Sequence, residues 1–295
     1  MSYKSFNQND SNLGQSGAEI LIKITNDVIS VNKNVAKNLK LYDKLSAQYK
    51  KHQEMENESR FFKLPRLISE FNNNGFYMEY INGASLGMYH YYSNFNQSQN
   101  VNDKLNKILH HILLDSKKID KVALQSAREL LNLKIASLQA NTPRSIINIL
   151  LPYFESLHEY FSRSTFLIGY NHGDLSFENI LVKSHSEIYV IDPIPSPINS
   201  PLIDLGRLSL DAKYGWWNSS LNETIHSRSS NLELNERIEQ LVKVHDIPLL
   251  DLVAFRLLSA FRIMPYTKNL TRKGKLMQAI HKDGIYLAKE MGNCR

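Results

Sequence analysis

The stretch Asn171–Val182 reads NHGDLSFENILV, and Ile188–Pro193 shortly after it reads IYVIDP. An acidic residue, an asparagine five positions later and a second aspartate after an apolar run are the groups that phosphoryl transfer requires. One carboxylate can orient a hydroxyl nucleophile, while the amide and the other carboxylate can hold the magnesium ion that clamps nucleotide phosphates. Asp and Asn are also common in turns, but the complete pattern favours the catalytic interpretation over coincidence.

The composition is that of a folded globular protein. Of 295 residues, 42% are hydrophobic and 10% aromatic, enough for one large domain or two closely packed lobes. The single cysteine, Cys294, excludes an intramolecular disulfide framework and a cysteine zinc site. We find no apolar signal core and no run long enough to span a bilayer, so we expect a cytoplasmic protein.

The net charge of +6 is compatible with several kinds of partner. A basic surface can bind nucleic acid or anionic lipid, and it equally suits an enzyme that binds a nucleotide and an anionic substrate. The basic residues are spread along the chain, and no RNP-type motif, zinc finger or helix-turn-helix stands out. The sequence therefore disfavours nucleic-acid binding as the main function.

The first part of the chain is rich in β-strand patterns. Residues 18–25 and 28–33 are two β-rich runs joined by Asn26-Asp27, which predicts a hairpin. Apolar residues at helical spacing predict a helix over residues 37–58. Two more strands are predicted at 64–68 and 76–81, and Asn82-Gly83 marks a linker.

The rest of the chain is predominantly helical. Apolar residues recur at three- and four-residue intervals over 101–116, 121–138 and 143–164. Helical patterns resume beyond Leu202, interrupted by an expected exposed loop at Ser219–Leu232. We therefore predict an α+β protein with two domains, a β-rich one over residues 1–81 and a mainly helical one over 82–295 that carries the acidic motif.

The HGD-x4-N pattern of Asp174 and Asn179, with Asp192 after an apolar strand, resembles the core signature of the aminoglycoside phosphotransferase and choline kinase superfamily. This resemblance implies a two-lobed protein-kinase-like fold, with a small β-rich N-lobe and a larger, mainly helical C-lobe. It also implies ATP and Mg²⁺ as cofactors. Asp174 would position or deprotonate an acceptor hydroxyl, and Asn179 and Asp192 would bind the metal. His-Gly-Asp in place of the His-Arg-Asp of protein kinases points to the small-molecule branch.

Two further residues are expected to support the catalytic loop. His172 is interpreted as a structural residue under the loop, because Asp174 already fills the role of base. Asp204 matches the family position that braces the loop through its backbone. Asp204 also suits a helix N-cap, and the sequence is compatible with both roles.

The N-lobe is expected to hold the nucleotide. The loop Gly14–Gly17 would cover the phosphates, with Ser16 and Gly17 as contacts, and Lys33 would bind the α- and β-phosphates. Lys23 on the preceding strand is an alternative to Lys33, but strand order favours Lys33.

A helical glutamate is expected to pair with that lysine. Glu54 is the first choice, ahead of Glu58 and then Glu56. The end of the last predicted strand fits a hinge whose backbone reads the adenine edge, although a plain apolar strand would have the same pattern. The expected hinge residues are Glu79, Tyr80 and Ile81.

The acceptor is the least determined part. Arg256 and Arg262, in a predicted helix over 249–264, can hold an anionic acceptor such as a sugar acid. A structural role for both arginines is slightly favoured. Trp216-Trp217 with Tyr214 can stack on a sugar ring, but core packing is favoured.

A finer resemblance concerns the acceptor. Segments 191–204 and 262–266 resemble phosphotransferases associated with bacterial surface-polysaccharide synthesis, which implies a sugar or glycan-precursor hydroxyl as acceptor.

Three functions are thus compatible with the sequence. The leading one is an Mg-ATP-dependent phosphotransferase acting on a small-molecule alcohol. An atypical protein kinase is disfavoured, because no recognisable HRD and APE pair is present. A catalytically inactive nucleotide-binding module stays open because the glycine loop is weak.

Overall fold

The structure is a computed structural model, and it describes most of the chain outside the N-terminus. The expected phosphate-loop residues Ser16 and Gly17 lie outside the described residues, as does Glu58. The described ranges are 19–25, 28–34, 39–57, 61–72, 75–118, 121–140, 142–184, 187–196, 198–217 and 224–292.

An antiparallel sheet of three strands forms the N-terminal region. Strands β1 (Glu19–Thr25) and β2 (Val28–Asn34) make the predicted hairpin, and β3 (Phe76–Glu79) pairs with the other edge of β2. Helix α1 (Leu39–Asn57) follows the hairpin, close to its predicted bounds. Helix α1 and β3 share a small apolar core, separate from the main one: Leu45, Tyr49, Phe76 and Met78.

The strand predicted at 64–68 is wrong. Only isolated bridges occur there, one between Leu67 and Met78, although the Ile68 N–H still bonds the Tyr77 carbonyl at 2.8 Å. Pro65 lacks an N–H and so cannot continue a ladder. Its carbonyl instead lies 2.8 Å from the buried His52 ring, which ties the segment to α1.

The larger C-terminal part is mainly helical. The predicted helices are confirmed with shifted ends, and α2 was not predicted. The loop predicted at Ser219–Leu232 is wrong from residue 225, where a helix capped by Thr224 begins. The helices are α2 (Leu86–Tyr92), α3 (Phe95–Leu114), α4 (Lys121–Ala140), α5 (Arg144–Arg163), α6 (Pro201–Tyr214), α7 (Ile225–Val244), α8 (Leu249–Ile263), a 3₁₀ turn (Met264–Tyr266) and α9 (Leu270–Glu290).

Short strands bring the central motif to the surface of this helical part. Strand β7 (Ile180–Ser184) pairs with β4 (Ala84–Ser85) on one side and β8 (Glu187–Val190) on the other. A second pair joins β5 (Lys117–Lys118) to β6 (Leu167–Ile168). The β7–β8 hairpin separates the two acidic segments found in the sequence and places their polar ends at the same edge.

Helix α6 lies in the centre of the main core. It packs closely on α8, because a Cβ on Gly206 would lie 2.6 Å from the carbonyl carbon of Phe255. Its polar residues Asp204, Arg207 and Asp211 are also buried. None of the helices in the described part of the chain combines the length and apolar character needed to cross a membrane.

Candidate active site

A buried carboxylate holds the HGD loop in shape. Asp204, in the first turn of α6, accepts hydrogen bonds from the backbone N–H groups of His172, Gly173 (2.9 Å) and Leu175 (3.3 Å). The N-cap of α6 is Ser200, so the alternative N-cap role of Asp204 is wrong. Gly173 has a φ of +89°, and a Cβ there would lie 2.1 Å from the Ile194 carbonyl oxygen. The loop therefore requires glycine at this position.

His172 joins the loop to the end of β8. Its Nε2 lies 2.9 Å from the Ile191 carbonyl oxygen, and its Nδ1 lies 3.4 Å from the Asp174 backbone nitrogen. Burial lowers the pKa of His172 to about 4. A neutral ring with its proton on Nε2 satisfies both contacts, since Nδ1 then accepts from Asp174. The lone pair of Nδ1 is thus occupied by a hydrogen bond within the loop, and the ring has no basic nitrogen available to a substrate.

His172 should make folding stability depend on pH. Its folded pKa of about 4 lies below the ordinary value of 6.5, so the unfolded chain binds more protons between these values. The contribution is fully present above pH 6.5 and is lost as the pH falls. We expect urea denaturation to show the wild type losing roughly 2 kcal/mol more than His172→Gln between pH 7 and pH 5. Parallel losses in the two proteins would contradict this assignment.

Asp174 is held by an arginine and an amide. Its Oδ1 lies 2.9 Å from Arg207 Nε, and Asn179 Nδ2 donates to its carbonyl oxygen at 2.9 Å and to Oδ2 at 3.3 Å. Burial alone would raise the pKa of Asp174, but the charges of Arg207 and Arg262 outweigh it, so the pKa is lowered. The carboxylate is therefore ionised and fixed in orientation at neutral pH.

Arg207 was not found by sequence reasoning. It also pairs with the buried Asp211, which accepts hydrogen bonds from the Phe177 N–H at 2.7 Å and from the Trp216 indole. The signal was the spacing of Asp204, Arg207 and Asp211 by three and four residues within an apolar helix, which puts three polar groups on one face. Trp216 is buried in this network and so cannot form a stacking wall for a sugar.

Asp192 occupies a constrained backbone position. Its φ is +62°, a left-handed conformation that is uncommon outside glycine. Backbone hydrogen bonds hold it from both sides, from Ile191 N–H to Asn179 O at 2.9 Å and from Ile194 N–H to His172 O at 3.0 Å. Asp192 is thereby locked to the loop that carries Asp174.

Lys33 on β2 reaches this aspartate. Its Nζ forms an ion pair with Asp192 Oδ1 and lies 3.5 Å from Gln48 Oε1 on α1. Lys33 is buried, whereas Lys23 is exposed. The structure therefore brings Lys33, and not Lys23, to the site.

Part of this site lines one cleft between α1, the catalytic loop and α8. Its volume is about 340 Å³, and Asp174, Asn179 and Asp192 all border it. Glu178 also borders it. The amide oxygen of Asn179 and the carboxylate of Asp192 are hard oxygen donors of the kind that Mg²⁺ prefers, alongside phosphate oxygens. The residues present therefore fit a magnesium ion.

No family model and no curated protein matches the chain, but solved structures do. A thermostable mutant of aminoglycoside phosphotransferase APH(4)-Ia matches with a TM-score of 0.58 and 12% identity, over 92% of this chain and 88% of that one. Choline kinase LicA from Streptococcus pneumoniae matches with a TM-score of 0.57 and 13% identity, over 98% and 94%. The chain has the aminoglycoside phosphotransferase and choline kinase fold. The expected resemblance in fold to these phosphotransferases and the two-part α+β architecture are thereby confirmed.

Within this phosphotransferase fold, α1 does not supply the expected acid. Gln48 lies next to Lys33, while Glu54 is exposed and Glu56 half-buried on the same helix. Glu54 is six residues beyond Gln48, about 1.7 turns along the helix, so it faces another direction. The expected Lys33–Glu54 pair is therefore wrong.

The segment that was expected to form the hinge has few free backbone donors. Glu79 N–H bonds Arg66 O at 2.9 Å and Tyr80 N–H bonds Ile29 O at 3.3 Å. No acceptor for the Ile81 N–H is found among the described residues. Of the three expected adenine contacts, only Ile81 therefore has a backbone N–H available for a ligand.

Arg256 does not border the cleft and cannot bind an acceptor there. It is 1% exposed and holds Asp283 through two contacts of 2.6 and 2.8 Å, with Ser209 Oγ at 2.9 Å. Two N–H groups facing one carboxylate make a strong fork-like pair. Arg256 is thus a structural residue that joins α8 to α9 and α6.

Replacing this arginine should destabilise the fold. Arg256→Leu leaves the buried Asp283 without its cation, so we expect a loss of about 3–5 kcal/mol in the free energy of unfolding, measured by urea denaturation. The matched control Arg163→Leu breaks an exposed pair with Glu159 and should cost about 1 kcal/mol or less. Removing Asp283 as well should recover part of the loss. Equal stability of Arg256→Leu and Arg163→Leu would refute the structural role.

Proposed function

We propose that the protein transfers the γ-phosphoryl group of Mg-ATP to a hydroxyl group of a small molecule. The observation that carries this proposal is the meeting of Asp174, Asn179 and Asp192 at one cleft, with Lys33 paired to Asp192. A carboxylate, two oxygen ligands for a metal and a lysine are the groups that phosphoryl transfer uses.

Asp174 orients the attacking hydroxyl. Arg207 and Asn179 each hold one of its carboxylate oxygens, so its position is set before substrate binds. A lowered pKa makes Asp174 a weak base, which suits a loose transition state in which the hydroxyl proton leaves late. The acceptor oxygen forms a bond to phosphorus as the bond to the ADP oxygen breaks. The proton passes to Asp174 and then to solvent.

Asn179 and Asp192 would hold the magnesium ion, and Lys33 would hold phosphate. When bound, the metal neutralises charge that develops on the phosphate oxygens. Lys33 pairs with Asp192 in the ligand-free protein, so this carboxylate has to be released for the metal. Lys33 would then pair with phosphate in place of Asp192, which would couple nucleotide binding to metal binding.

A sugar or glycan-precursor hydroxyl is the acceptor that we propose within this class. Glucosamine kinase, solved with glucosamine, ADP and inorganic phosphate, has the same fold with a TM-score of 0.51 and 11% identity over 92% of this chain. The short segments that resemble surface-polysaccharide phosphotransferases support the same class. Two lobes divided near residue 81 would place the nucleotide and the acceptor on opposite sides of Asp174.

A kinase-like module that binds nucleotide without turnover is the second candidate. The observation in its favour is Gln48, a neutral residue beside Lys33 where a carboxylate was expected. Because Gln48 is neutral, Asp192 is the anionic partner of Lys33 in the described part of the chain.

Release of ADP from Mg-ATP separates these functions. The purified protein is assayed against amino alcohols, aminoglycosides, neutral sugars, sugar acids and phosphosugars, with Asp174→Asn as the blank. Acceptor-dependent ADP release supports the small-molecule kinase. Binding of Mg-ATP without ADP release for any acceptor would favour the module, and phosphorylation of a protein substrate alone would favour an atypical protein kinase.

A further inference from the structure

Arg262 borders the cleft next to the catalytic carboxylate. It lies in the last turn of α8, and its positive charge helps to lower the pKa of Asp174. The side chain is half-buried, and no carboxylate lies within ion-pair distance of its guanidinium in the described part of the chain. A partly buried cation without a counter-ion is unfavourable unless a ligand supplies one.

Three neighbouring cations differ from Arg262 because each already has an acidic partner. Arg207 contacts Asp174 and Asp211, and Lys33 contacts Asp192. Arg272 lies 3.9 Å from Glu178. Among the described residues that border the cleft, Arg262 is therefore the arginine whose guanidinium is available for an incoming anion.

The position of Arg262 separates it from the nucleotide groups. The proposed metal ligands lie on the catalytic loop and after β8, and Lys33 lies on β2. Arg262 comes from α8, together with Tyr266 on the following 3₁₀ turn, and both border the cleft. A ligand in this cleft that places its hydroxyl on Asp174 can therefore also meet Arg262.

We infer that the acceptor carries an anionic group, a carboxylate or a phosphate, and that Arg262 binds it beside the reacting hydroxyl. A planar guanidinium matches either anion with two parallel N–H donors. Lys44 on α1 borders the same cleft and adds a second positive charge. This inference rests on the proposed function and makes the site unlike one for a cationic amino alcohol.

Matched acceptors test the inference during turnover. Each acid is compared with its neutral parent: glucuronic acid and glucose 6-phosphate with glucose, and glyceric acid with glycerol. We expect the acids to be preferred, and Arg262→Gln to raise their KM by about 10- to 100-fold while the KM for ATP changes by less than about twofold. Arg262→Lys should recover part of the affinity, because lysine keeps the charge but lacks the fork. Exposed Arg144, at the start of α5, provides the control Arg144→Gln.

A binding measurement tests the same site without turnover. Inorganic sulfate is titrated at constant ionic strength into the protein saturated with magnesium and a non-hydrolysable ATP analogue, and Tm is recorded. We expect sulfate to raise Tm for the wild type and Arg144→Gln but not for Arg262→Gln. Without sulfate, Arg262→Gln should be at least as stable as the wild type, since it removes an unpaired charge.

The outcomes separate the two proposals. Turnover confined to neutral or cationic acceptors, or an acid KM unchanged in Arg262→Gln, would overturn the anionic acceptor and leave the kinase intact. Absence of turnover with every acceptor counts against the kinase, and the sulfate titration then decides on the anion site. Equal stabilisation of wild type and Arg262→Gln by sulfate would overturn the site.

Discussion

Asp174→Asn should lower kcat by about 10²- to 10⁴-fold with little change in the affinity for Mg-ATP. Asparagine keeps the shape of the side chain but cannot accept the hydroxyl proton. It also loses the charge that pairs with Arg207. The proposed metal ligands Asn179 and Asp192 stay in place, so nucleotide binding is expected to persist. Asp174→Asn should therefore remove an interaction that is made in the transition state.

Steady-state kinetics and nucleotide titration measure the two quantities separately. Asp103→Asn on α3 is the control, since Asp103 forms a surface pair with Arg237 away from the cleft. The control should keep wild-type kcat. Normal kcat in Asp174→Asn, or loss of Mg-ATP binding together with kcat, would contradict the role given to Asp174.

Asp192→Asn should reduce kcat/KM for ATP on the order of 10³-fold and raise the magnesium concentration needed for half-maximal rate. The amide removes the negative charge that would hold the metal. Asparagine tolerates left-handed backbone better than most residues, so the φ of +62° at this position is retained. Asp192→Ala would combine backbone strain with loss of the metal ligand. Asp192→Asn avoids the strain and is therefore the better test of metal binding.

Magnesium titration at fixed ATP distinguishes this variant from Asp174→Asn. We expect the apparent magnesium affinity to fall in Asp192→Asn and to stay near the wild-type value in Asp174→Asn. Unchanged magnesium dependence in Asp192→Asn would show that Asp192 does not bind the metal.

The sequence predicted the fold where its patterns are local. The hairpin of β1 and β2, helix α1 and the β7–β8 hairpin follow from alternation, helical spacing and turn residues close together in the chain. The strand expected at residues 64–68 failed because the apolar residues around Pro65 pack irregularly between α1 and β3. Apolar content alone does not distinguish such a segment from a strand.

The partners of the site residues depend on contacts between distant parts of the chain. Lys33 and Asp192 are 159 residues apart, and which residue of α1 faces them depends on how that helix is rotated. The prediction considered only glutamates as the helical partner of Lys33, so Gln48 was not among the candidates. Arg256 and Arg262 lie six residues apart on α8 and have similar sequence surroundings. Only the packing of α8 against α6 and α9 shows that one is paired inside the core and the other borders the cleft.

Following the labelled γ-phosphoryl group of ATP is the most direct test of the proposed phosphoryl transfer. Wild-type protein is incubated with magnesium, γ-labelled ATP and the best acceptor from the panel, and the products are separated. We predict that the label appears on the acceptor in an amount equal to the ADP formed, and that Asp174→Asn, while still binding Mg-ATP, transfers almost none. Label found only in inorganic phosphate, or equal transfer by both proteins, would contradict phosphoryl transfer to a hydroxyl held by Asp174.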